Sequence, residues 1–63
     1  MIELTLPTMT CGHCVRTVTD TVHRIDAQAR VDIDLDAHRV RIDSPRPADE
    51  FRQALAEEGY APA

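Results

Sequence analysis

Sixty-three residues allow one small domain with a simple core, because a chain of this length buries only about 60% of its unfolded surface. Eleven carboxylates stand against seven arginines and no lysine, which gives a net charge of −4. The acidic balance argues against a nucleic-acid-binding protein, whose binding face would be basic, and the small size argues against a large internal substrate cavity. We therefore treat residues 1–63 as a single domain.

The start of the chain predicts a strand. Residues 2–6 alternate apolar and polar, which is the period of a half-buried strand with Ile2, Leu4 and Leu6 facing inward. Pro7 ends this pattern, and residues 7–12 are expected to form a loop. The first residues lack the basic segment and the long apolar run of a signal peptide or a membrane span. We therefore expect a cytoplasmic protein with no membrane insertion.

Both cysteines lie in residues 9–14, which read M-T-C-G-H-C and run from this loop into the next element. A helix is predicted from about residue 13 to residue 26, because apolar residues recur there at helical spacing: Val15, Val18, Val22 and Ile25. The thiols are thus placed at a strand-to-helix junction, with Cys14 in the first helical turn. Structural disulfides are rare in the cytosol, so the C-x-x-C spacing favours metal binding or redox chemistry.

The second half of the chain predicts a β-hairpin and a second helix. Alternation over residues 30–36 and 39–43, joined at Ala37 and His38, predicts two strands whose outer faces set aspartates near arginines without any functional reason. A helix beginning at Pro47 and stopping at Gly59 follows. Residues 60–63 leave room for a very short edge strand. The order β-α-β-β-α-(β) predicts an α+β, ferredoxin-like fold, an antiparallel sheet with two helices on one face.

A chain with this order and with M-T-C-x-x-C at the first strand-to-helix junction resembles the heavy-metal-associated domain family over nearly its whole length. As a free-standing domain it is similar to the bacterial cytosolic copper chaperones of that family. The resemblance implies a carrier rather than an enzyme, with Cu(I) bound by Cys11 and Cys14 and passed to a copper-transporting P-type ATPase or its soluble metal-binding domain. A copper-responsive repressor is a further implied partner, and the protein is expected to be a monomer or a metal-bridged homodimer.

The chemistry of the motif agrees with copper. Thiolates are soft ligands that select Cu(I), whereas a structural zinc site requires four protein ligands and this motif offers two cysteines with only His13 nearby. The helix N-terminus at Cys14 favours a thiolate there. Family members that serve zinc or cadmium often carry an acidic residue at the position of Thr10, so an uncharged threonine favours monovalent copper.

Other residues near the motif have two interpretations each. The resemblance places Met9 in the core, where it shapes the loop, rather than on the metal as a third soft ligand. His13 is either a solvated residue that lowers the thiol pKa values of its neighbours or an auxiliary ligand when two molecules share copper. Tyr60 either shields the site and limits a third ligand or closes the core as an aromatic. His23 and His38 are expected to be solvated surface residues.

Two features depart from the family pattern. Ala27 and Gln28 stand where many members have a Gly-Val pair, so we expect the turn after the first helix to be strained or differently shaped. The last strand is cut short and contains Pro62, which predicts weak edge pairing and a loose metal-free form. Neither departure touches the two thiols.

Two rival functions use the same thiols. Residues 11–14, C-G-H-C, are also the active-site tetrapeptide of protein disulfide isomerases, which would make the protein a thiol–disulfide oxidoreductase. The thioredoxin fold needs a longer chain, however, and no tryptophan precedes Cys11. The second rival keeps the fold and the site but carries Hg(II), Zn(II) or Cd(II).

Overall fold

The computed structural model describes residues 2–63, which form a three-stranded antiparallel sheet and two helices. The elements run in the order β1 (Ile2–Thr5), α1 (Gly12–Ile25), β2 (Arg30–Asp34), β3 (Arg39–Asp43) and α2 (Ala48–Glu57). The sheet order is β1-β3-β2, with β3 in the centre. This architecture confirms the ferredoxin-like prediction. Neither α1 nor α2 has the length and apolar character that crossing a lipid bilayer requires.

One core lies between the sheet and the helices. Its fully buried members come from both layers and from the loop after β1: Leu6, Met9, Val18, Val22, Val40, Ile42, Phe51 and Leu55. The predicted stripe on α1 is buried at its centre and half-buried at Val15 and Ile25. Cys14 and Thr21 complete the buried face of this helix. The first turn of α1 therefore rests on the core, which gives the metal motif a fixed base.

The hairpin has the charge register that the sequence predicts, but its ion pairs differ. Asp32 pairs with Arg41 and Asp34 with Arg39 across the two strands. β2 ends at Asp34 rather than at residue 36, because residues 35–38 form the turn. Both arginines reach instead to Glu3 of β1, with Nε–Oε1 distances of 3.6 Å from Arg39 and 3.9 Å from Arg41. Such exposed pairs contribute little stability, so this charged face needs no functional explanation.

The turn after α1 is shaped by Asp26 and not by strain. Its carboxylate accepts hydrogen bonds from the Ser44 hydroxyl at 2.6 Å and from the backbone N–H of Gln28 at 3.0 Å. The Ser44 hydrogen bond is the largest cause of a pKa of Asp26 below its usual value. Outside glycine, the described residues show a positive φ only at His38. Of the two expectations for residues 27 and 28, the structure supports a turn shaped by hydrogen bonds and shows no positive φ that would indicate strain.

Helix α2 ends in a glycine turn that directs the tail back toward the core. Gly59 has φ +92°, and its N–H donates to the carbonyl of Ala56 at 3.1 Å. The N–H of Tyr60 donates to the carbonyl of Leu55 at 2.8 Å, which completes a Schellman motif. At the start of α2, Pro47 is the N-cap residue, whereas the sequence predicted it at the first helical position. The turn at Gly59 sets the position of Tyr60.

The predicted final strand is reduced to a single contact. Within residues 2–63 no strand follows β3, and the backbone N–H of Ala63 donates to the carbonyl of Thr5 at 2.8 Å. The tail thus lies along the free edge of β1 without forming a ladder.

Replacing Gly59 with alanine is expected to lower the free energy of unfolding by about 1 kcal/mol, because a Cβ disfavours this left-handed conformation. A Cβ there meets no atom within 4 Å, so the cost is conformational and not steric. Gly12→Ala is the matched control, since Gly12 opens α1 without a positive φ and with equally open space. Urea unfolding measures both variants. An equal loss of the free energy of unfolding in the two variants would contradict a conformational requirement for glycine at position 59.

Candidate metal centre

The two thiols lie side by side at the start of α1. Cys11 is the N-cap residue, has an extended backbone and is exposed. Cys14 is the third residue of the helix and lies on its buried face, with 9% of its surface exposed. Their Sγ atoms are 3.1 Å apart, and both cysteines are free thiols. One sulfur is therefore open to solvent while the other is anchored against the core.

The surroundings of Cys14 favour its thiolate. A hydrogen bond from the Tyr60 hydroxyl, followed by contributions from the Cys11 thiol and the backbone N–H of Thr10, lowers the pKa of Cys14 from 9.0 to about 7, and burial opposes this only in part. The same hydrogen bond to Cys14 raises the pKa of Tyr60, so the phenol keeps its proton. Tyr60 is also half-buried against the core. Its position therefore agrees with both interpretations from the sequence, a neighbour of the metal site and an aromatic that closes the core.

Tyr60→Phe is expected to raise the pKa of Cys14 above about 7, toward 9.0, because it removes the largest stabilising hydrogen bond and keeps the ring. The ultraviolet absorbance of the thiolate, followed against pH in the metal-free protein, measures the shift. The folded-state pKa is depressed, so the unfolded chain holds more protons and the free energy of unfolding rises from about pH 7 to pH 9.

Tyr60→Phe should flatten this rise in stability. A Cys14 titration and a pH-stability profile that both match the wild type would show that the hydroxyl has no such role.

The other residues of the motif occupy separate environments. Met9 is fully buried, as the core interpretation predicts, and its sulfur would have to leave the core to reach a metal. Thr10 is exposed and carries no charge. His13 is exposed in the first turn of α1 and is not among the main causes of the lowered pKa of Cys14, in contrast to the expectation that it acts on its neighbours.

Within residues 2–63, the two cysteines have no third ionisable ligand beside them. Among residues 2–63, no three His, Cys, Asp or Glu side chains converge where they could hold one metal ion. A metal at this site would therefore take the two sulfurs from this chain and leave a side open to another molecule.

His38 is a residue near the loop that the sequence interpretation missed. It is half-buried and not solvated, with Nδ1 3.0 Å from the carbonyl oxygen of Met9. Its own carbonyl accepts the N–H of Leu6 at 2.7 Å. The signal was present in the strand pairing, because Thr5 pairs with Arg39 and the turn before Arg39 must therefore lie beside the loop after Thr5.

Thr8 and His23 each make a hydrogen-bond contact to a backbone carbonyl, but only that of Thr8 lies near the metal loop. The hydroxyl of Thr8 donates to the carbonyl of Gly59 at 3.3 Å and ties the metal loop to the end of α2. His23 is exposed, as predicted, although its Nε2 lies 3.0 Å from the carbonyl oxygen of Ala29 at the opposite end of α1. The loop before Cys11 is thus braced from the β2–β3 turn and from α2.

The chain matches a family named for heavy metals, and several similar proteins are named for a metal. The heavy-metal-associated domain profile matches residues 3–61. The copper chaperone Atx1 from Synechocystis PCC6803, in a trimeric form of a His-to-Tyr mutant, is 40% identical with all of both chains covered and a TM-score of 0.96. A gold binding protein is 31% identical over 98% of this chain and 95% of its own, with a TM-score of 0.94. The COP-associated protein of Helicobacter felis is 28% identical over 94% of this chain and 92% of its own.

Proposed function

The chain belongs to the heavy-metal-associated domain family, and from this premise we propose that it is a cytoplasmic Cu(I) carrier. The thiolates of Cys11 and Cys14 bind the ion and pass it to a copper-transporting P-type ATPase or to that ATPase's soluble metal-binding domain. The copper is cargo, and the protein performs no chemical conversion of its own.

The pair of sulfurs 3.1 Å apart, with no third ionisable ligand converging on them within residues 2–63, is the observation that supports this proposal. Soft thiolates select Cu(I), which accepts few ligands, whereas structural zinc requires four. The similar proteins named for copper and gold fit the same chemistry, because both metals form soft ions that prefer sulfur. The pKa of Cys14, lowered to about 7, leaves a substantial share of this ligand as thiolate at neutral pH.

Delivery follows from the unequal exposure of the two thiols. A thiolate of the partner approaches from the open side at Cys11 and forms a third copper–sulfur bond. The bond to Cys11 then breaks, a second partner thiolate replaces Cys14, and copper stays Cu(I) throughout. Each step exchanges one sulfur for another, so no oxidant or reductant is needed.

The test is a titration of the reduced protein with Cu(I) against a competing chelator, repeated with Zn(II) and Cd(II), with an insulin-reduction assay beside it. We expect tight one-to-one Cu(I) binding, weak zinc and cadmium binding, no reductase turnover, and transfer of copper to the isolated metal-binding domain of a copper ATPase. Turnover without metal would instead identify a thiol–disulfide oxidoreductase. Tighter binding of Zn(II) or Cd(II) than of Cu(I) would identify a carrier of those metals.

A further inference from the structure

His38 has a left-handed backbone conformation, which is uncommon for residues with a Cβ, although histidine adopts it more often than most. Its φ is +55°, and among the described residues it is the one residue other than glycine with a positive φ. Glycine fills such positions without penalty, and a residue with a Cβ persists there when the surrounding structure holds it. The side chain of His38 makes a contact at this point of the β2–β3 turn that glycine could not make.

The contact is to the loop that leads into the metal motif. The carbonyl of His38 accepts the N–H of Leu6 at 2.7 Å, and its Nδ1 lies 3.0 Å from the carbonyl oxygen of Met9. A carbonyl oxygen only accepts, so Nδ1 carries the proton and donates. Between these two points, the N–H of Met9 donates to the carbonyl of Leu6 at 3.0 Å and closes a turn. One residue thus holds both ends of the turn that precedes Cys11.

The hydrogen-bonded carbonyl also fixes the amide on its other side. The carbonyl of Met9 and the N–H of Thr10 belong to the same planar peptide group and point in opposite directions. A carbonyl turned toward His38 therefore turns this N–H away from His38. Thr10 directly precedes Cys11, so the peptide that the imidazole holds leads straight into the exposed thiol of the metal centre.

We propose that His38 is a positioning residue of the metal centre: its imidazole holds the peptide between Met9 and Thr10 and thereby sets Cys11 against Cys14. The side chain does not touch the metal and acts only through the loop backbone. The inference deepens the proposed function and rests on it, because a fixed sulfur pair matters most if the pair binds an ion.

Three variants separate the side-chain contact from the backbone conformation. His38→Asn keeps a donor near the place of Nδ1 and tolerates a left-handed φ. His38→Asp has nearly the same shape and tolerance but no donor when ionised. His38→Gly suits the backbone best and has no side chain. The control is His23→Ala, which removes a similar imidazole–carbonyl contact, to Ala29, at the far end of α1.

Competition with a Cu(I) chelator should show affinity weakened about two- to tenfold in the Asp and Gly variants, the scale of one net hydrogen bond. The Asn variant should stay close to the wild type, and His23→Ala should be unchanged. Amide hydrogen exchange of the metal-free protein gives a second readout, with Thr10 and Cys11 exchanging faster in the Asp and Gly variants. The free energy of unfolding of each variant is measured in parallel.

Unchanged affinity and unchanged exchange at Thr10 in the Asp and Gly variants would overturn the proposal. An Asn variant whose Cu(I) affinity is as low as that of the Asp variant would also overturn it. So would affinity losses that correlate with the free energy of unfolding across all variants, His23→Ala among them. If the wild type binds no Cu(I), the proposed function fails, while exchange at Thr10 still decides whether His38 positions the loop.

Discussion

Replacing either cysteine with serine is expected to lower the affinity for Cu(I) by more than about 100-fold. Removing a residue that only hydrogen-bonds to a metal ligand already costs about 10- to 100-fold in metal affinity, and loss of the ligand itself should cost more. A serine hydroxyl is a hard ligand that stays protonated at neutral pH, so neither variant can supply a second soft donor. Chelator competition measures the affinity. Transfer to the isolated metal-binding domain of a copper ATPase measures delivery.

The two serine variants should differ in stability and not in binding. Cys11 is exposed, so Cys11→Ser should leave the free energy of unfolding nearly unchanged. Cys14 lies on the buried face of α1, so Cys14→Ser places a hydroxyl at the core and should cost about 1 kcal/mol or more. Cys11→Ser is therefore the cleaner test. Full transfer of copper by the Cys11→Ser protein would refute the ligand-exchange proposal.

Phe51→Ala is expected to remove a large share of the free energy of unfolding of the metal-free protein. Phe51 is fully buried in the core, and truncation of a buried phenylalanine costs about 3–5 kcal/mol. A chain of 63 residues has a total stability of only about 3–9 kcal/mol, at roughly 0.05–0.15 kcal/mol per residue. Far-ultraviolet circular dichroism with urea titration measures the loss. Gln53→Ala, at an exposed position of the same helix, is the control and should change stability by less than about 0.5 kcal/mol.

Copper should offset the stability that the Phe51→Ala protein has lost. An ion that binds only the native state adds about 4 kcal/mol of stability at a thousandfold excess over its Kd. The loaded variant should therefore unfold cooperatively at a urea concentration near that of the metal-free wild type. A metal-free Phe51→Ala protein that unfolds like the wild type would show that α2 contributes little to the core.

Local patterns in the sequence were enough to predict the first five elements and the place of the thiols, but not the absence of a final strand within residues 2–63. The alternation at residues 2–6 and the helical spacing from Val15 to Ile25 depend on neighbours along the chain, which a single sequence displays. The same holds for Cys14 in the first turn of α1, because the helix start lies beside the motif. Met9 was placed in the core by family resemblance, and its burial agrees.

The contacts of Tyr60 and His38 depend on neighbours that are distant in sequence. Tyr60 reaches Cys14 because the turn at Gly59 redirects the chain, and a sequence gives the glycine without the final direction of the tail. His38 meets Met9 because β3 pairs with β1 and brings the β2–β3 turn beside the loop. The choice of Glu3 as the partner of Arg39 needs the same strand order.

The strand order also leaves the sheet with two unlike edges. The outer strand β2 exposes charged side chains at alternate positions, at Arg30, Asp32 and Asp34. Charges along an edge oppose the addition of a strand from another molecule. The other edge, β1, is covered by the one hydrogen bond from Ala63. Ala63 therefore occupies a backbone acceptor of β1 that a strand from another molecule would otherwise pair with, while charge protects the edge at β2.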